Sequence, residues 1–331
     1  MLNYSRLPKG RLAPNEKDQP ENFAKRMQDR RIIFVPGMKP KPTSVHHRHE
    51  LLRAIASGLS RVQPELADEF VGEADLFRLV SWTYAFYGRH ADLEVDRPGI
   101  EKLLQSPIPS AEDIAEIESV ARRVARWVRV LGDALPWFGR VIAKPDMRLT
   151  MSEARRYLHN RRGVARAIRS MVKTELEEAW RDDSRVLLIG HSLGSVIAYE
   201  SLWELSHVDK SVGRIDLFIT LGSPLASRFI SRHVRGAEYS GAKRYPANID
   251  HWVNVAARAE MTALHPELSP YYGEMLELGL LQSLEDKPDI YNHFHGDLGL
   301  NVHKSYGYLA NSTVAEILAA WLSGSTRAEA Q

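Results

Sequence analysis

The chain contains no cysteine, which excludes disulfides, cysteine–zinc sites and thiol catalysis. It has no unbroken apolar run of about 18 residues, the length that a membrane-crossing helix needs. Neither sign of charge dominates. The 44 Lys and Arg face 42 Asp and Glu for a net charge of +2, so composition gives no general argument for a nucleic-acid partner. The first 30 residues are polar and lack the apolar stretch of a secretory signal, so the expected location is cytoplasmic. Internal repeats and low-complexity segments are also absent.

What is present suits a globular enzyme-sized chain. Of 331 residues 44% are hydrophobic and 26% charged, ample for a large core. After a polar arm over 1–30, strand and helix patterns alternate through a domain spanning 31–331. Short β-branched apolar runs occur at Arg31–Val35, Leu79–Tyr87, Arg185–Ile189, Ile215–Leu221 and His251–Val255, most of them closed by glycine. Helical spacing occupies 45–62, 163–181, 196–205 and 303–323. Continuous apolar strands separated by helices predict a mostly parallel central sheet covered on both faces, an α/β architecture.

Residues 90–160 break this rhythm. Proline joints and a long amphipathic helix beginning near Ser110 predict a helical cap inserted into the domain. The stretch is basic: over 121–185, 16 Lys and Arg against 8 Asp and Glu leave an excess of +8. A solvated helix face is the favoured reading, with peripheral contact to lipid surfaces the alternative. Trp127, Trp137 and Phe138 anchor this cap or line an acyl pocket.

The strongest chemical signal is Gly190-His191-Ser192-Leu193-Gly194, directly after one strand and directly before a helical pattern. A serine in so tight a turn needs small residues two before and two after it, because neighbouring backbones must approach there. The turn lifts the Ser192 hydroxyl above the strand end, at a helix N-terminus.

With GHSLGSVIAYESLWEL and, one strand later, ITLGSPL, the chain resembles serine hydrolases of the α/β-hydrolase fold, in the lipase/esterase branch that includes intracellular phospholipase-like members. The resemblance covers about 31–90 and 163–323. It implies a Ser-His-acid triad whose members follow in the chain order nucleophile, acid, histidine. His303, in Asn301-Val-His-Lys-Ser-Tyr306, matches the family's terminal His-x-x-Tyr pattern, with His293, His295 and His265 as competitors. The acid implied eight residues after Trp252 is Glu260, where the family more often has Asp. Asp250, Asp289 and Asp297 are held in reserve, and Asp216 lies at the wrong end of its strand. Two backbone N–H groups would form the oxyanion hole: Leu193, after the nucleophile, and Met38, after Pro36-Gly37 where relatives have His-Gly.

Other patterns carry less. His293-Phe-His295-Gly-Asp297 is part of a binuclear-metal motif but lacks its next histidine, and the His46, His47, His49, Glu50 cluster reads as a solvated helix start. Neither metal nor cofactor is expected. Gly222-Ser223-Pro224-Leu225 could border the pocket, with Ser223 as a second polar contact. The expected function is hydrolysis of a carboxylic ester, on a small-molecule or lipid acyl substrate. Phospholipase, acyltransferase or thioesterase action and an inactive ligand-binding relative are the alternatives.

Overall fold

Six strands form one sheet: Arg30–Val35 (β1), Phe77–Leu79 (β2), Arg185–His191 (β3), Ile215–Leu221 (β4), Ile249–Ala257 (β5) and Ser283–Ile290 (β6). They pair in the order β2-β1-β3-β4-β5-β6, every neighbour parallel. A two-residue antiparallel ribbon, His295–Gly296 (β7) with Gly299–Leu300 (β8), stands apart. The computed structural model describes residues 29–131, 145–261 and 265–324, so residues 1–28 of the expected arm lie outside the described residues.

Parallel neighbours require crossovers, and helices supply them. They are Ser44–Val62 (α1), Pro64–Gly72 (α2), Trp82–Tyr87 (α3), Arg97–Gln105 (α4), Ala111–Leu131 (α5), Pro145–Leu158 (α6), Val164–Arg181 (α7), Leu193–His207 (α8), Ser305–Leu309 (α9) and Ser312–Ser323 (α10), with shorter turns between. Alternation along β1 divides the core. Ile32 and Phe34 pack with α1, α2, α9 and α10 through Leu51, Phe70, Leu309 and Leu318. Ile33 and Val35 pack with α7 and α8 through Ile168, Val172, Val196 and Leu202. This is the two-sided burial that continuous apolar strands demand, and the architecture is that of an α/β-hydrolase-like fold. The chain places β2 on one flank of β1 and β3 on the other. That reversal opens a crevice at the carboxyl ends of the strands.

Three local expectations are corrected. Leu79–Tyr87 is not one strand: β2 stops at Leu79, and Trp82–Tyr87 is helical. Trp82 and Phe86, four apart, are buried on one side of this turn while Tyr84 is exposed, so helical packing overrides the β-propensity of an aromatic run. The segment 303–323 is not one helix. His303 lies in a loop, and α9 and α10 follow it, the second capped by the Asn311 side chain on the Thr313 N–H. β6 is an additional strand whose Glu285, Asp286, Lys287 and Pro288 hide it from any hydrophobic pattern. As an edge strand it tolerates proline.

Between β2 and β3 the chain makes its long excursion. Residues 132–144, with Trp137 and Phe138, and the side chain of Trp127 lie outside the described residues. The start of the excursion rests on the loops that follow β5 and β6. Glu118 pairs with Arg258 and accepts from the Tyr291 hydroxyl at 3.0 Å, and Lys304 pairs with Asp96 at 2.6 Å. Its end is tied to the helices beneath. Tyr157 donates to Glu200 at 2.7 Å, and Arg169 pairs with Glu200 and Glu204 at 3.0 and 2.9 Å. Arg169 and Lys173, part of the basic excess, are thus matched with acids; Lys173 meets Asp209 at 2.8 Å. Among the described residues no helix is long and apolar enough to cross a membrane.

Candidate active site

Ser192 directly follows β3 and directly precedes the first residue of α8, with φ 54° and ψ −127°. A non-glycine residue held there stores about 1–3 kcal/mol of backbone strain, which the surroundings must sustain. Several bonds do so. The Ser192 N–H donates to the Leu221 carbonyl at 2.9 Å, and its own carbonyl accepts from the Ser195 hydroxyl at 2.6 Å. Ser195 in turn meets Ser223 Oγ at 2.7 Å. Ser223 is buried and also accepts from the Leu225 N–H. Rather than offering the pocket a polar contact, it braces the turn from β4.

The glycines on either side have a steric reason. A Cβ on Gly190 would stand 2.5 Å from Ser195 Cα, and one on Gly194 would overlap the carbonyl oxygens of Val35 and Pro36. Gly37 adds a constraint that the sequence pattern did not disclose. Its Cβ would fall 2.8 Å from Ser192 Cβ and 2.9 Å from His191 Nδ1. Three chain segments therefore meet at the serine with no room for a methyl group.

His303 reaches this point from the loop between β8 and α9. Its Nε2 lies 2.9 Å from Ser192 Oγ, and its Nδ1 lies 2.6 Å from Glu260 Oε2. Glu260 is 6% exposed. It sits three residues past the end of β5 in a turn where Ala259 has φ 68°. A carboxylate on Nδ1 fixes the proton there and leaves Nε2 free to accept from the serine hydroxyl. The series is triad-like, and it joins residues 111 and 43 positions apart.

Two side chains outside the sequence reading hold it. The buried Tyr308 hydroxyl donates to Glu260 Oε2 at 3.1 Å and accepts from the Ala257 N–H at 2.9 Å. Burial first, then the Glu260 charge, pushes that phenol well above its ordinary range, so it stays a donor. His191, the second residue of the elbow, places Nε2 2.8 Å from the His303 carbonyl and its ring 4.8 Å from the His303 ring. A carbonyl can only accept, so Nε2 carries the proton. Burial, and next the neighbouring His303, hold His191 well below the ordinary histidine range, and the ring is neutral.

The 36–41 loop closes the site from β1. Trp82 Nε1 donates to the Pro36 carbonyl at 2.8 Å, the Lys39 N–H donates to the Tyr87 hydroxyl at 3.0 Å, and Lys41 Nζ donates to the Met38 carbonyl at 2.9 Å. Lys41 is lowered to about 7, by burial first and then by the nearby Lys304. Leu193 opens α8, so its N–H has no acceptor within the helix. Met38 follows Gly37, which is packed against Ser192.

The other sequence candidates are engaged elsewhere. His293 bonds the Ser106 carbonyl, His295 bonds Glu116, and His265 lies against the Tyr271 ring. Asp250 pairs with Arg214, Asp289 with Arg258 and Asp216 with Arg185, while Asp297 follows β7. His46 bonds Thr43, His47 is buried edge-on to Tyr306, and Glu50 pairs with Arg53. Among the described residues no three His, Asp or Glu side chains are grouped to hold a metal ion.

No protein-family model, curated protein or solved structure matches the chain. The arrangement stands on its geometry: an α/β fold of the serine-hydrolase kind, with a buried serine–histidine–glutamate series suited to hydrolytic chemistry.

Proposed function

We propose that the protein is a carboxylic-ester hydrolase of the lipase/esterase kind, with Ser192 as nucleophile, His303 as base and Glu260 as the acid of the triad. The observation that carries this reading is the unbroken hydrogen-bonded path from Ser192 Oγ through the imidazole to Glu260 Oε2, at 2.9 and 2.6 Å.

In the proposed reaction Ser192 Oγ attacks the ester carbonyl carbon while its proton passes to His303 Nε2. Glu260 stabilises the imidazolium. The oxyanion accepts from the N–H groups of Leu193 and Met38. Collapse of the tetrahedral intermediate breaks the bond to the alcohol oxygen, which takes the proton from His303. Water then attacks the acyl-serine with His303 again as base, releasing the acid and restoring the hydroxyl. Residues 90–160 are proposed to cap the site, supported by the anchoring of Asp96 and Glu118 to the loops around His303 and Glu260. Such a cap favours an acyl substrate of hydrophobic character.

Two measurements test this. A fluorophosphonate probe is expected to label wild-type protein and to leave Ser192→Ala unlabelled; equal labelling of both would defeat the proposal. A chain-length series of p-nitrophenyl esters sets the substrate class. Preference for acetate or butyrate over palmitate, with no rise on micelles, would reject the lipase reading and retain the esterase one. Product analysis with competing alcohols separates hydrolysis from acyl transfer.

A further inference from the structure

The loop that carries the Met38 N–H is clamped on both sides of that group. Three peptide groups follow one another there. The first, between Pro36 and Gly37, is held at its carbonyl by Trp82 Nε1 at 2.8 Å. The third, between Met38 and Lys39, is held at both ends. Its carbonyl accepts from Lys41 Nζ at 2.9 Å, and its N–H donates to the Tyr87 hydroxyl at 3.0 Å. The Met38 N–H belongs to the second group, between these two. Gly37 has no Cβ to restrict rotation of that group, so its direction depends on the neighbours that are held.

The clamp destabilises the chain in two places. Lys39 has φ 72°, a left-handed conformation that a lysine leaves unless it is held. Lys41 is partly buried, and its ammonium donates to a carbonyl rather than a carboxylate. Asp96, the acid that acts on it, already pairs with Lys304 at 2.6 Å. The cations Lys304 and Lys39 also face it, and it acts in turn on the buried rings of His47 and His191. A cation so placed, without a carboxylate of its own, weakens a fold. A methionine at 41 would spare that loss but could not donate to the Met38 carbonyl.

At the other end of the same peptide, burial above all pushes the Tyr87 phenol up, so it stays protonated and bonds Glu153 of α6 while accepting from Lys39. We infer that Lys41 is a positioning residue for the oxyanion hole: its ammonium grips the Met38 carbonyl and, with Tyr87, holds the Met38 N–H toward the carbonyl under attack at Ser192. The inference rests on the ester-hydrolase reading and deepens it. Lys41 acts through the backbone and needs no contact with the substrate.

The charge gives this clamp a pH signature. Lys41 is lowered to about 7, by burial first and then by Lys304. Below that pH its bond to Met38 is charge-assisted; above it a neutral amine bonds the same carbonyl more weakly. Activity should therefore fall on the alkaline side. Stability should rise over the same range, because the unfolded chain keeps a proton, up to its value of 10.5, that the folded chain has shed. A lysine that merely supported the fold would move activity and stability together.

Steady-state hydrolysis of p-nitrophenyl butyrate by the full chain tests it, from about pH 6 to about pH 9, either side of the Lys41 value of about 7, with Ser192→Ala as the blank. At the acid end Lys41→Met should lose about tenfold in kcat with KM unchanged, since an oxyanion donor acts in the transition state. Lys41→Arg, whose charge does not titrate here, should recover most of that loss. Wild-type kcat should decline about fivefold toward the alkaline end, and neither Lys41 variant should show the decline. Tyr87→Phe should lower kcat and keep it. Equal kcat in wild type and Lys41→Met, a loss carried by KM, or the wild-type decline persisting in Lys41→Arg overturns the inference. Thermal unfolding checks that Lys41→Met is folded; if it is not, the profiles of wild type and Lys41→Arg decide. A wild type that neither takes a fluorophosphonate label at Ser192 nor turns over the ester brings down the ester-hydrolase reading and this inference with it. Labelling of Ser192 together with an unchanged Lys41→Met brings down this inference alone.

Discussion

The serine and its histidine reach the same point by different physical means. Ser192 is placed by volume: Gly37, Gly190 and Gly194 let three backbones close on a strained residue, and a single methyl at any of them collides. His303 and Glu260 are placed by hydrogen bonds from distant side chains, His191 to the His303 carbonyl and Tyr308 to the Glu260 carboxylate. The first device is stiff and intolerant of added atoms. The second is graded, because each bond contributes separately and can be removed without a clash.

Substitutions on each side test that contrast. The largest effect is expected for Glu260→Gln, which keeps shape but no longer fixes the useful tautomer. Turnover of p-nitrophenyl butyrate should fall on the order of 10⁴-fold with the fold intact, and a fall below tenfold would remove Glu260 from its role. Gly194→Ala comes next. Displacement of the turn is expected to cost on the order of 10²-fold in turnover and about 1–3 kcal/mol in stability, read by kinetics and denaturant unfolding. A variant that is both active and stable would show that the elbow yields where the geometry says it cannot. Tyr308→Phe, on the graded side, should lose only about tenfold in turnover, with KM unchanged. A loss as deep as that of Glu260→Gln would erase the distinction between the two devices.

The smallest effects lie in the pH dependence of stability. His191 and His47 are held neutral by burial, whereas the unfolded chain takes up protons near pH 6.5. The unfolded state therefore binds more protons, and stability should decline as pH falls below about 6.5. Lys41, lowered to about 7 from 10.5, adds the same sign in another window, so its cost to the fold is relieved as pH rises between those values. Denaturant unfolding across pH should show both slopes, with His191→Gln flattening the lower and Lys41→Met the upper. Slopes identical to wild type in these variants would mean that neither group is perturbed.

The same contrast governs what could be read from the chain before its structure. The elbow is legible because its requirements are local: a strand, two glycines at fixed spacing and a helix within a few residues. His303 and Glu260 came within reach through a family resemblance, and the structure brings both to Ser192. Tyr308, His191 and Gly37 left no local signal, since their partners lie 48, 112 and about 155 positions away. The Leu79–Tyr87 run misled because aromatic residues suit a strand and a buried helical face equally well. β6 escaped because Asp286 spends its side chain on the N–H groups of Leu268 and Ser269 and on Asn254, polar work with no hydrophobic periodicity.

β6 also bounds what the molecule can join. One margin of the sheet is β2, only three residues long. The other is β6, where Pro288 withholds an N–H and Lys287 puts a charge beside it. A foreign strand seeking to extend the ladder would meet too little backbone on one side and a missing donor on the other. Self-association by edge-to-edge stacking of the sheet is thereby discouraged.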